Sequence, residues 1–578
     1  MIITYWKGIF VVDRAGTPEE RTALKKAGFE LHEPSVCPMN KRCKACRAVI
    51  GSRYWSDKVT SATRLRTVCN QRALDAMDAH LVKLAKSRAT TSNIVVPAPP
   101  GLAFRPFQKA GIAYHLEHKD SYNGDDMGLG KTIQSLGVVN SLRVSNPRLS
   151  TLVLCPRTLI FNWRDEASKW LVDVPGVGKP EIIVPKTGTS EVPRRDNLFV
   201  ITTYEKCMGD TLLTDSLKRV WDVLVADEAQ ALKNPESKRA EVVLGGEGLM
   251  QRAHRALFLS GTPIENYPKE IWSIAAAICP AKFGDKNAFF QRYCGIHREG
   301  GRLVDTGATN LDELQQRLRS SFMIRRLKAD VLKELPPKRR QLIVLGDSQV
   351  DWSKDPDFKR WHDLYDRDYE AKLAALEAAR TEEEYARAAR ALDAFTGVAF
   401  EDMSEMRHKT AVAKLPACIE YIDKILETNI EKLVVFAHHQ DVLAELAAHY
   451  GDQAVSLHGE TTQKAREAAV KRFREGDARI FIGGLKAAGV GLNLYEASTV
   501  IFIEIDWNPA KLTQAEDRLC RFGQKKMVHV IHLVLAGTLD VNMVQRVMSK
   551  QVVVDKALNR KPEQGIKLSS QTVMAFKC

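Results

Sequence analysis

Short apolar runs alternate with longer stretches in which apolar residues return every three or four positions through most of this chain. The runs Thr151 to Cys155, Phe199 to Thr202, Asp222 to Ala226 and Ala256 to Leu259 are nearly continuous in apolar residues, the pattern of strands buried on both faces. The same alternation restarts at Lys432 to Ala437, Arg479 to Gly483, Thr499 to Ile503 and Val528 to Leu533. It predicts two α/β lobes, each a mostly parallel sheet covered by helices on both faces. Between them the character changes. Trp361 to Arg390 is rich in Ala, Glu and Arg and contains neither Gly nor Pro, which predicts long helices projecting between the lobes.

Ahead of the lobes, residues 8–14 alternate loosely like a strand. Thr17-Pro18-Glu19-Glu20 is a helix start, with Pro in the first turn and acids near the positive end. A helical pattern from Gln71 to Lys86 gives way to Ala89 to Gly101, a linker rich in Thr, Ser and Pro. Asp540 to Ala557 has an amphipathic helical pattern, and the tail from Asn559 carries little signal. The expected organisation is a small N-terminal α/β domain over 1–88, a linker over 89–100 and a first lobe over 101–345. A helical insertion over 346–415, a second lobe over 416–557 and a tail over 558–578 complete it.

Composition changes this picture only at the margins. At about 150 residues per domain, 578 residues suggest several domains, and 44% hydrophobic with 27% charged residues excludes a chain disordered as a whole. Lys plus Arg number 85 against 71 for Asp plus Glu, a formal net charge of +14 that favours a polyanionic partner. No apolar run is long enough to span a bilayer, and the N-terminus lacks a signal peptide's basic start and apolar centre. A cytoplasmic protein without a membrane partner is therefore expected. The compact size suits a bacterial or viral source, a nuclear place being expected only in a eukaryote. Eleven scattered cysteines fit reduced thiols rather than a disulfide framework.

One cysteine group stands apart. Cys43 and Cys46 have the two-residue spacing that lets two thiolates reach one tetrahedral metal, while the spacings from Cys37 and to Cys69 are irregular. The four are candidate zinc ligands; the alternative is small core residues plus an exposed thiol. Around them Lys41, Arg42, Lys44, Arg47 and Arg53 interleave with Tyr54 and Trp55. That combination suits phosphate contact and base stacking, or equally a solvated basic loop over a packed Trp.

The strongest chemistry lies at Asp125-Asp126-Met127-Gly128-Leu129-Gly130-Lys131-Thr132, between two helical segments. A nucleoside triphosphate needs inward backbone N–H groups, a helix N-terminus, a Lys for the outer phosphates and a hydroxyl for Mg²⁺. Gly128, Gly130, Lys131 and Thr132 supply these, although Asp125 stands where the strict phosphate-loop pattern has Gly. About 95 residues on, a strand ends in Asp227-Glu228-Ala229-Gln230. Asp227 is the candidate Mg²⁺ ligand and Glu228 the base that orients and deprotonates water. Phosphoryl transfer also draws on positive charge that arrives on closure, and Arg518 and Arg521, three apart on a short helix of the second lobe, are candidates for it.

Taken together, these motifs resemble those of superfamily 2 helicase-type motors of the Snf2 family, over roughly residues 101–557. Arg105-Pro106-Phe107-Gln108 resembles the adenine-recognising Q motif, which implies base contact by Gln108. Asp125 to Thr132 resembles the family's phosphate loop, where Asp at the first position is usual; this implies nucleotide contacts along Asp126, Met127, Gly128, Leu129, Gly130, Lys131 and Thr132. Leu154-Cys155-Pro156 with Asn162-Trp163, and Thr202-Thr203-Tyr204, resemble the DNA-tracking motifs of the first lobe. Asp227 to Gln230 resembles the DEAH box with Gln230 in place of His, and Leu259 to Pro263 the motif relaying hydrolysis to DNA. Gly489 to Leu494 and Gln514 to Gln524 resemble motifs that touch the DNA backbone and reach across to ATP, with Cys520 where His is commoner.

Met323 to Leu332, with Val434 to His439, is most similar to the HepA-related (HARP) annealing-helicase branch. That resemblance implies ATP- and Mg²⁺-driven translocation on duplex DNA, with remodelling of forked or branched structures and reannealing of separated strands. Single-stranded-DNA-binding or replication proteins are its implied partners. Two other readings remain open: a strand-separating DNA or RNA helicase, and an ATP-gated nucleic-acid-binding scaffold with little turnover.

Overall fold

The computed structural model describes residues 3–6, 9–12, 23–24, 30–32, 53–56, 71–186, 191–209, 214–215, 217–295, 297–299, 302–304, 307–345, 400–428, 430–459, 461–485, 492–506, 508–521, 523–536 and single positions between 538 and 547. Two compact units divide it: Met1–Ala89 with Gln316–Met323, and Thr90–Gln315 with Ile324–Cys578.

In the first unit, strands β1 (Ile3–Trp6), β2 (Ile9–Val12), β3 (Glu30–His32) and β4 (Arg53–Ser56) form an antiparallel sheet in the order β1-β2-β4-β3. The predicted strand near residues 8–14 is β2, and Tyr54 and Trp55 lie on β4. The predicted helix runs Gln71–Arg88 and buries Met77 and Leu84, seven residues apart on one face. Residues 17–20 lie outside the described residues.

The second unit holds both predicted sheets. The first comprises β5 (Asp120–Asn123), β6 (Thr151–Leu154), β7 (Glu181–Ile183), β8 (Leu198–Thr202), β9 (Trp221–Asp227) and β10 (Ala253–Leu259). After a small hairpin of β11 (His297–Glu299) and β12 (Arg302–Val304), a two-residue strand, β13 (Met323–Ile324), adds to it through the Ile324 carbonyl, which accepts from Gly124 N at 2.8 Å. The order is β13-β5-β10-β9-β6-β8-β7, and the pairings among β5 to β10 are parallel. Leu259 pairs with both Asn123 and Asp227, and Leu154 with Ala226 and Thr202, so the loops carrying the motifs all leave from one edge. Ligands bind at that edge in open parallel sheets.

The second sheet is formed by β14 (Lys338–Leu345), β15 (Leu433–Ala437), β16 (Ala454–Leu457), β17 (Ile480–Gly484), β18 (Thr499–Phe502) and β19 (Val528–Leu535), in the order β14-β19-β18-β15-β17-β16 and parallel throughout. Its strands alternate strictly between two cores. Val434, Phe436, Phe481, Val500 and Phe502 pack on one face; Leu433, Val435, Ile480, Ile482 and Ile501 pack on the other. Two buried faces are what the continuous apolar runs predict.

The structure moves three expected boundaries. Residues 338–345, assigned by sequence to the first lobe, pair along their whole length with β19 of the second, because the basic edge strand meets the acidic Glu516 there. The insertion's expected end at 415 falls inside one helix, Phe400–Leu426, whose Ala411, Leu415, Cys418 and Ile422 belong to the second lobe's core. The expected linker has no regular structure, yet Val96 is buried in the first lobe's core and Asn140 Nδ2 donates to Pro97 O at 3.1 Å. The projecting helices expected over 361–390, and most of the helix expected over 540–557, lie outside the described residues.

Candidate active site

Strand β5 delivers the chain to a loop that ends at the Lys131–Arg143 helix. Gly128 and Gly130 sit at φ +83° and +72°, left-handed backbone that costs glycine nothing. At Gly130 the positive φ strains any side chain, and a Cβ would also come within 2.6 Å of Gln108 Nε2, so Gln108 would have to shift. Gly261, from the loop after β10, backs onto the same segment, since a Cβ there would lie 2.4 Å from Met127 Cγ and 3.3 Å from Lys131 Nζ. Leu129 anchors the loop by packing with Phe107 and Leu332. Lys131 Nζ donates to Asp125 O at 2.9 Å and Asp126 O at 3.4 Å. Burial lowers the pKa of Lys131, opposed by Glu228, Asp125, Asp227 and Asp126. Gln108 is buried, its Oε1 accepting from Arg105 N at 2.9 Å. Thr132 follows Lys131 in the first helical turn.

Beneath the loop lies a pairing that sequence reasoning missed. Asp125 is fully buried, and its carboxylate accepts from Arg326 N at 2.9 Å, Arg326 Nε at 3.0 Å, Arg326 Nη2 and Gln134 Nε2 at 3.0 Å. Burial alone would raise this carboxyl's pKa, but the Arg326 guanidinium holds it below the ordinary value. Next to it, Arg325 Nη2 donates to Asp126 Oδ1 at 3.1 Å, and Arg325 Nη1 to the carbonyls of Gly124 and Gly261. Two aspartates opening a phosphate loop were the available signal: each needs a cation if it is to stand beside bound phosphates.

Strand β9 delivers the carboxylate pair. Asp227 Oδ2 accepts from Trp163 Nε1 at 2.7 Å, and Oδ1 from Glu228 N at 2.9 Å. Burial, then the nearby Glu228 charge, pushes Asp227 up to about 7. Tyr204 donates its hydroxyl to Asp227 O at 2.8 Å. Both Trp163 and Tyr204 are buried, so these members of the expected DNA-tracking motifs hold the acidic strand end rather than facing outward. Glu228 adopts φ +50°, a strained left-handed conformation for a non-glycine residue of the kind that clusters at functional sites. Its Oε2 accepts from Gln230 Nε2 at 2.8 Å. The Thr132 hydroxyl and the Asp227 carboxylate are hard-oxygen donors of the kind that Mg²⁺ takes.

From the second lobe, Arg521 reaches the same place: its Cγ lies 3.5 Å from where a Gly128 Cβ would be. Its Nε donates to Asp517 O at 2.9 Å and its Nη1 to Asn493 Oδ1. Arg518 is buried, and burial followed by Arg521 lowers its pKa, with Glu228 and Asp517 opposing. Gln514 Nε2 donates to Thr262 Oγ1 at 3.3 Å, a second link between lobes. Residues 486–491, including Gly489 to Gly491, lie outside the described residues, as do the candidate zinc ligands Cys37, Cys43, Cys46 and Cys69. Among the described residues no group of three or more His, Cys, Asp or Glu could hold a metal ion, and the six described cysteines are free thiols. No described helix is long and apolar enough to cross a membrane.

Beside Glu228 opens a cleft of about 660 Å³ lined by Gln230, Lys233, Lys238 and Arg239 of the first lobe and Gln514 of the second.

The SNF2-related domain matches residues 107–379, and the helicase conserved C-terminal domain matches 413–523. The human "DNA annealing helicase and endonuclease ZRANB3" is 32% identical over 476 residues, covering 79% of this chain and 40% of that protein. The Xenopus tropicalis "SWI/SNF-related matrix-associated actin-dependent regulator of chromatin subfamily A-like protein 1" is 30% identical over 463 residues, 79% of this chain and 45% of that one. The chain thus spans less than half the length of either relative. Among solved structures, the "Sulfolobus solfataricus SWI2/SNF2 ATPase core in complex with dsDNA" is 23% identical over 84% of this chain and 99% of that chain, with a TM-score of 0.38.

Proposed function

This chain belongs to the SNF2-related helicase-type ATPases, and from that membership we propose that it is a DNA-stimulated ATPase that translocates on duplex DNA, remodels forked or branched structures and reanneals separated strands. The observation carrying the reading is the approach of Arg521, from one lobe, to Gly128 in the phosphate loop of the other. Hydrolysis in such a cleft depends on lobe closure, and a cleft that opens and closes with each ATP can advance along a polymer.

In this reading Gln108 contacts the base, and the loop from Asp126 to Thr132 cradles the phosphates. Lys131 exchanges its carbonyl partners for the outer phosphates. Thr132 and Asp227 supply oxygens for Mg²⁺, which when bound neutralises charge on the transferring group. Glu228 orients the attacking water and takes its proton; Arg518 and Arg521 stabilise the charge that develops. The cleft beside Glu228 bears on the DNA side of the proposal through Gln230, which links it to Glu228, and through Lys238; its other cations already have acidic partners, Lys233 on Glu265 and Glu270 and Arg239 on Glu205. The names of the two relatives, one an annealing helicase, agree with a DNA substrate.

Steady-state ATPase rates without nucleic acid and with single strands, duplex DNA, a forked duplex and duplex RNA test the proposal. Greatest stimulation by duplex or forked DNA is expected. Equal stimulation by single strands or RNA would replace the translocase with a strand-separating helicase, and a rate that stayed flat would leave an ATP-gated scaffold.

A further inference from the structure

Three basic residues, Arg325, Arg326 and Lys328, follow β13, and two of them are already placed: Arg326 on Asp125 and Arg325 on Asp126. Lys328 faces both lobes. Its backbone N–H donates to Asp126 Oδ2 at 3.0 Å, fixing it to the acidic residue that opens the phosphate loop. Its ammonium crosses to the second lobe, where it donates to Cys520 O at 2.8 Å and pairs with Asp517 Oδ1 at 2.9 Å. These two residues lie just ahead of Arg521 in the turn that carries it, and the Arg521 Nε is itself held by the Asp517 carbonyl. Lys328 Cε and Arg521 Cγ each lie 3.5 Å from where a Gly128 Cβ would be, so both cations come up against one glycine of the loop.

We propose that Lys328 is a positioning residue, a latch that couples the phosphate loop to the Arg521 turn and stabilises the closed arrangement of the two lobes. The proposal rests on the ATPase reading above. Its physical basis is selectivity between states. The Lys328–Asp517 pair is largely withdrawn from water, with side-chain exposures of 13% and 7%, and it joins residues from opposite sides of the cleft. It therefore contributes to the closed state and is absent from an open one, where both groups are hydrated; an interaction made in one state only shifts the balance toward it. Within the second lobe, Lys338 also reaches Asp517, at 3.3 Å, so the Arg521 turn keeps one anchor when Lys328 is replaced. Loss of the latch should therefore disturb closure more than folding.

Lys328→Met and Asp517→Asn, singly and together, test this against the parent chain. Three quantities are read: affinity for a fluorescent ATP analogue, DNA-stimulated kcat, and the interlobe distance from dyes at the exposed Val144 and Gln453 with a non-hydrolysable analogue. Lys328→Met is expected to bind the analogue nearly as well as the parent, to remain open with it, and to lose about tenfold in kcat, the equivalent of one partly buried charged hydrogen bond. Lys328→Arg is expected to restore part of that loss. The double variant should be no worse than the poorer single one, since both act through one contact. Closure and turnover at parental levels in Lys328→Met would overturn the latch. Lost analogue affinity with unchanged kcat would also overturn it, by making Lys328 a phosphate ligand. A parent with no DNA-stimulated turnover counts against the ATPase reading, while the closure measurement still decides the latch.

Discussion

Asp125 and Arg326, 201 residues apart in sequence, form a fully buried ion pair directly beneath the phosphate loop. The pair explains an oddity of the loop. A glycine at 125 would suit the strict phosphate-loop pattern, yet Asp125→Gly would strand the Arg326 charge in a site that holds no water-exposed surface. Removing one partner of a buried pair costs about 3–5 kcal/mol, so Asp125→Gly is expected to lower the unfolding midpoint in urea substantially. Asp125→Gly with Arg326→Leu should recover much of the loss. Because the folded pKa of Asp125 is depressed, its contribution is present above the carboxyl's ordinary value of 3.8 and fades as pH falls through the lower folded one. A stable Asp125→Gly single variant would refute the pairing's structural role.

Buried neutral histidines set a second pH dependence, of known sign. His532 lies in the second lobe stacked on Phe502, with ring centroids 4.9 Å apart, and burial pushes its pKa down from 6.5 to about 4. The unfolded chain takes up the proton first on acidification. The stabilisation is therefore whole above pH 6.5 and is lost as pH falls toward 4. His532→Phe keeps the stack and removes the titration. Between pH 8 and pH 4.5 the variant should lose less stability than the parent, by roughly 2 kcal/mol. His115 and His438, pushed down to about 3 and about 4 chiefly by burial, remain in both proteins, so the comparison isolates a single group. Parallel stability curves would show that His532 does not titrate as its burial implies.

What could be read from sequence followed the range of the interaction. Strands β6, β8, β9 and β10 announced themselves because both their faces are apolar. Strand β5 did not: Asp-Ser-Tyr-Asn looks like a loop, and it is buried only because His115 meets Ser121 at 2.8 Å and Gln134 meets Asn123 at 3.2 Å. Strand β14 begins Lys-Arg-Arg-Gln, whose charges are answered by Glu516 far along the chain. The site divides in the same way. Lys131, Thr132, Asp227 and Glu228 stand out locally, because phosphate and metal chemistry demands particular residues at close spacing. Arg325, Arg326 and Lys328 serve carboxylates about 190 to 200 positions away, and no local pattern reveals such partners. Trp163 was legible as a motif residue but not as the donor to Asp227.

Binding and turnover should separate at two residues of the site. Glu228→Gln keeps the shape of the side chain and removes its basicity, so nucleotide should still bind while hydrolysis falls by about 10² to 10⁴. Arg521→Ala should also keep most nucleotide affinity while losing on the order of 10³ in DNA-stimulated kcat. Lys131→Ala is expected to weaken binding itself. Equilibrium binding of a fluorescent analogue beside single-turnover hydrolysis distinguishes the three. Rapid hydrolysis by Glu228→Gln would remove it from the role of base.

Gln230 is where this chain departs from the family's usual His, and its geometry gives the departure a function. Its Nε2 donates to Glu228 Oε2 at 2.8 Å, and its side chain lines the cleft that also receives Gln514 and Lys233. A group touching the cleft on one side and the base on the other can report occupancy of the cleft to the base. Gln230→Glu sets a second carboxylate against Glu228, and repulsion between them should turn the base from its position. Basal and DNA-stimulated rates are then both expected to fall, the stimulated rate by about tenfold more, since one charged hydrogen bond is replaced by a like-charge contact. Gln230→His keeps a ring N–H donor and should retain most stimulation near pH 8, where the imidazole is neutral. The measurement is the ratio of ATPase rates with and without duplex DNA for the parent and each variant. A parental ratio in Gln230→Glu would mean that the signal from DNA reaches Glu228 by another route, such as the Gln514–Thr262 contact between the second lobe and that edge of the sheet.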